Sequence, residues 1–79
     1  MAGMAYGKKL SEDPSVVRYE FGPSPSEVHG VLVVPVDDVD SWYVEEATDR
    51  PTYARWVFSK IYRLWRGSGT WPDDALFYS

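Results

Sequence analysis

"ARWVFSKIYRLWRG", Ala54 to Gly67, is the longest stretch of this chain that reads as a single element. It holds three arginines, a lysine, two tryptophans and no acid. Nothing from Thr52 to Arg66 breaks a helix. At helical spacing Tyr53, Ala54, Val57, Phe58, Ile61, Leu64 and Trp65 cover a wide apolar arc. The opposite arc carries Thr52, Arg55, Ser59, Arg63 and Arg66, with Trp56 and Lys60 at one border and Tyr62 at the other. Pro51 suits a first turn, and Asp49 is the predicted N-cap. Gly67 is the predicted residue after the last turn, and Arg63 and Arg66 favour the negative end of the helix dipole. The spacing therefore predicts one amphipathic helix over about residues 51–66, with an apolar side that needs a sheet beneath it.

Upstream, the period changes from 3.6 to 2. In "SVVRYEF", Ser15 to Phe21, Val17, Tyr19 and Phe21 share one face while Val16, Arg18 and Glu20 share the other. "GPSPSEVHG", Gly22 to Gly30, is a loop. "VLVVPV", Val31 to Val36, is apolar on both faces, as in an interior strand, with Pro35 near its end. One helix covers one face of a sheet. The other face of this strand then calls for the acidic segment, the N-terminal arm or a second subunit. "DDVDSWYVEEA", Asp37 to Ala47, fits a helix through Val39, Trp42, Tyr43 and Ala47. It also fits a strand through Trp42 and Val44, and extended structure after a turn at Asp37–Asp40 is preferred.

Beyond the helix the chain turns at Gly67–Gly69 and again at Trp71–Pro72. Ala75 to Tyr78 then forms a short final strand, reached by a parallel or mixed crossover. Residues 1–14 show little periodicity and read as a flexible N-terminal arm, with one domain over residues 15–79. The fold class is α+β: a small sheet of three to four strands with one main helix on one face, in the order β-β-(β)-α-β.

A chain of 79 residues is one domain with a thin margin of stability. It has no cysteine, so neither a disulfide nor a thiolate is available, and a reducing cytoplasm is the expected setting. No secretory signal or membrane span is predicted. Valine over isoleucine and arginine over lysine point to a GC-rich, bacterial coding sequence. The lone His29 sits in a Gly/Pro/Ser loop and reads as solvated. Asp37, Asp38 and Asp40 fail the EF-hand pattern, because Trp42 and Thr48 stand where Gly and Glu are required. "GSGTWP" follows a helix rather than a strand and ends in Pro72, so it is no phosphate cradle. No catalytic motif, cofactor site or metal site is predicted.

Charge is the remaining signal. The net charge is −4. Residues 37–49 hold six acids and no base, while residues 50–66 hold five bases and no acid. The plain expectation is mutual neutralisation on a solvated surface. The sharper one is that Arg55, Trp56, Arg63 and Arg66 form a binding face. Arginine beside a flat ring serves protein interfaces and nucleic acid alike. A sequence pI of about 4.7 counts against nucleic acid. The favoured reading is a non-enzymatic protein-interaction module, with a protein partner or a homodimer. The alternative is a nucleic-acid-associated regulator using the same helix face.

Overall fold

A computed structural model of the chain describes residues 3–78. It is α+β, with one α-helix packed on a five-stranded antiparallel sheet. The strands are β1 (Met4–Glu12), β2 (Val16–Gly22), β3 (Gly30–Pro35), β4 (Tyr43–Val44) and β5 (Asp74–Tyr78), and the helix α1 runs Thr52–Ser68. The sheet order is β4-β3-β2-β1-β5.

Two expectations are corrected here. The sheet has five strands rather than three to four, and most of the expected arm, residues 1–14, is the strand β1. That strand lies between β2 and β5 and pairs with both. The connection through α1 also differs. The strands on either side of it, β4 and β5, run the same way, but they lie at opposite edges, and every neighbouring pair is antiparallel. The helix crosses the whole sheet instead of returning beside the strand it left.

The face under the helix follows the alternation of β2 and β3. Val17, Tyr19, Phe21, Leu32 and Val34 are buried and meet the buried helix residues Ala54, Val57 and Ile61. Burying such side chains contributes roughly 1.5–3 kcal/mol each. Tyr19 is fully buried, and its hydroxyl donates to the Pro72 carbonyl oxygen at 2.5 Å. Burial pushes its phenol well above the ordinary tyrosine range. On β1 the helix-facing positions are the small residues Ala5 and Gly7. A methyl group on Gly7 would collide with Val57 Cγ1, so the helix lies almost directly on this strand.

The segment 37–47 takes the preferred geometry, a turn followed by extended chain, and not a helix through Val39, Trp42, Tyr43 and Ala47. A short 3₁₀ turn occupies Val39–Ser41, and then β4 pairs Tyr43 with Val33 and Val44 with Leu32. The hairpin between β1 and β2 is held by Asp13, whose Oδ1 accepts the N–H groups of Ser15 at 2.7 Å and Val16 at 2.9 Å. Those two donors hold the Asp13 carboxyl below its ordinary value, Val16 contributing most.

Candidate binding face on the helix

The helix starts two residues later than an Asp49 cap would place it. Pro51 occupies the N-cap with no side-chain cap, and the Arg55 N–H donating to the Pro51 carbonyl opens the ladder. At the other end Gly67 remains helical. Gly69 supplies the left-handed cap at φ 80°, its N–H donating to the Trp65 carbonyl at 2.7 Å. With Ala54, Val57 and Ile61 turned into the core, Arg55, Ser59, Arg63 and Arg66 are exposed on the side away from the sheet. At about 1.5 Å per residue the arginines span about 16 Å along the axis.

Each predicted site residue has its own surroundings. Arg55 donates from Nε to the Arg50 carbonyl at 2.7 Å. Arg63 has no hydrogen-bond or ion-pair partner among the described residues. Arg66 lies over the Tyr62 ring, 5.6 Å from its centroid, and donates to the Tyr62 hydroxyl at 2.8 Å. Trp56 is different. Its ring stacks on Phe77 with centroids 5.4 Å apart, meets Tyr53 edge-on at 5.8 Å and packs against the core. The three arginines therefore lie along one exposed side of the helix, and Trp56 is a border ring already packed on other rings.

Among the described residues no ion pair joins α1 to the acidic segment. Two other cations reach that segment: Arg18 pairs from Nε with Glu45 Oε2 at 3.3 Å, and Arg50 donates to main-chain oxygens, Asp40 O at 2.8 Å, and Trp42 O at 3.0 Å from Nε and 2.8 Å from Nη2. It also covers the Trp42 ring at 4.6 Å. The helix thus holds four cations and no acid, and the rest of the chain sets four cations against twelve acids. The charges are segregated, not interleaved.

Sequence reasoning missed the ring stacks flanking this face. Trp42, Phe58, Tyr62, Trp65 and Trp71 form a continuous run with centroid separations of 4.6, 5.9, 5.9 and 4.7 Å. His29, Tyr53, Trp56 and Phe77 form a second run at 5.4, 5.8 and 5.4 Å. The Phe58–Tyr62 step is a helical i, i+4 pair and was open to sequence reasoning. The contacts to Trp42, Trp71, His29 and Phe77 depend on tertiary structure. The long helix is therefore braced on both flanks, so its outer side chains project from a fixed base.

Elsewhere, His29 Nε2 lies 3.0 Å from Glu27 Oε2, at the edge of a cleft of about 540 Å³ also lined by Phe21, Val44 and Glu46. Glu46 holds a left-handed backbone at φ 60°. No group of three or more His, Cys, Asp or Glu side chains among the described residues is placed to hold a metal. No described helix is long and apolar enough to cross a membrane. Comparison of the chain with protein-family models, curated proteins and solved structures finds no match.

Proposed function

We propose that this chain is a non-enzymatic interaction module whose α1 outer face, Arg55, Arg63 and Arg66, takes an acidic surface of a protein partner. The observation that carries the reading is the segregation of charge: an acid-free helix face, unpaired with carboxylates, on a protein of net charge −4. Such a face attracts a negative partner and orients it, since the rest of the molecule repels the same partner. Trp56, at the border, packs on Tyr53 and Phe77 instead of offering a free ring. That favours protein over single-stranded nucleic acid, which needs rings open for base stacking. Cytoplasm is the expected setting, because this core relies on apolar packing and no disulfide.

The test is capture from the lysate of the source organism with the native protein and with R55E/R63E, each with and without nuclease. The expected outcome is a protein retained by the native chain, lost with the double variant and indifferent to nuclease. Retention that disappears on nuclease treatment would assign the face to nucleic acid. Identical eluates from the two proteins would show that the arc is plain surface.

A further inference from the structure

The sheet has a second face, and α1 does not cover it. Alternation places Tyr6 and Lys8 of β1, Arg18 and Glu20 of β2, Val31 and Val33 of β3, Tyr43 of β4, and Asp74, Leu76 and Tyr78 of β5 on this side, with Val33 already buried by the chain itself. Two of the large apolar or aromatic residues that stay exposed, Leu76 and Tyr78 at 38% and 69%, stand on β5 beside Tyr6, and a third, Tyr43 at 49%, stands at the opposite edge on β4. Patches of this kind mark interaction surfaces. The charges on the face identify the occupant. Asp74, Lys8 and Glu20 stand side by side across three strands, negative, positive, negative. None of the three makes an ion pair among the described residues. An acidic or a basic ligand would want one sign. A row that alternates is answered by its own reverse.

We propose that this open sheet face is a self-association surface and that a second copy of the chain covers it. A two-fold axis along the strands, between β1 and β2, sets Lys8 of each copy against Glu20 of the other. It also sets β5 of each copy over β3 of the other. That overlap is four strands wide, and at about 4.8 Å per strand it gives a face on the order of 400 Å² in projection, small for a specific interface. The dimer is therefore reversible on dilution. It leaves both α1 faces outward, so the partner of the helix meets two copies of its site.

The test is sedimentation equilibrium of the whole chain from about 5 µM to about 500 µM, spanning micromolar dissociation constants. The native protein is expected to move from 9.0 kDa toward twice that mass as concentration rises. K8E should stay at 9.0 kDa throughout, and K8E/E20K, which restores opposite charges, should dimerise again. R55E/R63E should dimerise like the native chain, which separates this proposal from the helix-face reading. A native chain that stays at 9.0 kDa across the range overturns the proposal without reference to any variant. So does a folded K8E that dimerises as the native chain does.

Discussion

Gly7 is the residue on which the packing of helix and sheet is most exposed to challenge. Its hydrogen faces Val57 where any methyl group would collide, and Val57 is fully buried with a stiff branched side chain. Gly7→Ala is predicted to destabilise the protein by about 1–3 kcal/mol through overpacking. Denaturant unfolding measures this, and G7A/V57A should recover part of the loss. Asp13 makes a different prediction. Its folded-state pKa is depressed, so the stability it contributes is present above its ordinary value of 3.8 and is lost as pH falls through the lower folded value. Thermal midpoints of the native chain and of Asp13→Ala should differ near neutral pH and converge as the pH is taken below 3.8. A gap that persists unchanged in acid would remove the carboxylate from the account. Gly7 also shows why β1 escaped sequence reasoning. The positions of that strand under the helix are Ala5 and Gly7, and the apolar side chains Met4 and Tyr6 point to the open face. The usual signal is inverted: closeness of the helix demands small residues where a core strand would normally show large ones.

At the scale of elements, the helix and β2 were legible because each has one continuous apolar period and one clear environment. The helix ends were less so, because Asp49 and Gly67 are good cap residues that the chain passes over for Pro51 and Gly69. Cap choice depends on where the loops must go, and the loop before α1 is tied by Arg50 to the carbonyls of Asp40 and Trp42. The antiparallel course of β5 was hidden for a related reason. Its partner is β1, the strand with the inverted signal, and pairing begins where Lys9 N–H meets the Asp73 carbonyl at 2.8 Å. The helix itself is held chiefly by burial, since its exposed arc contains no acid–base pairs of the i, i+4 kind. Ile61 is at its centre and fully buried. Ile61→Ala is predicted to cost about 2–5 kcal/mol, by lost transfer energy and the cavity left behind. Ser59→Ala, on the exposed arc, should change stability by less than about 0.5 kcal/mol. Equal effects at the two positions would mean that the helix is not seated as described.

Across the whole molecule two layers carry different surfaces. The outer helix face is cationic and braced by ring stacks, whereas the open sheet face is mixed in charge and partly apolar. Sequence reasoning singled out Arg55, Trp56, Arg63 and Arg66; the three arginines lie on one exposed side of the helix, and Trp56 is half-buried against Tyr53 and Phe77. Sequence reasoning could not foresee that the acidic segment would leave the arginines unpaired, because ion pairing depends on where loops settle in space. That absence of pairing is what makes the helix face the central claim. The most direct measurement is an amide chemical-shift titration of the isotopically labelled chain with its captured acidic partner. The account predicts that perturbed amides cluster on the outer arc of α1, around Arg55, Ser59, Arg63 and Arg66, and that R55E/R63E abolishes them. Perturbations centred on Tyr6, Leu76 and Tyr78, with the helix arc silent, would contradict it.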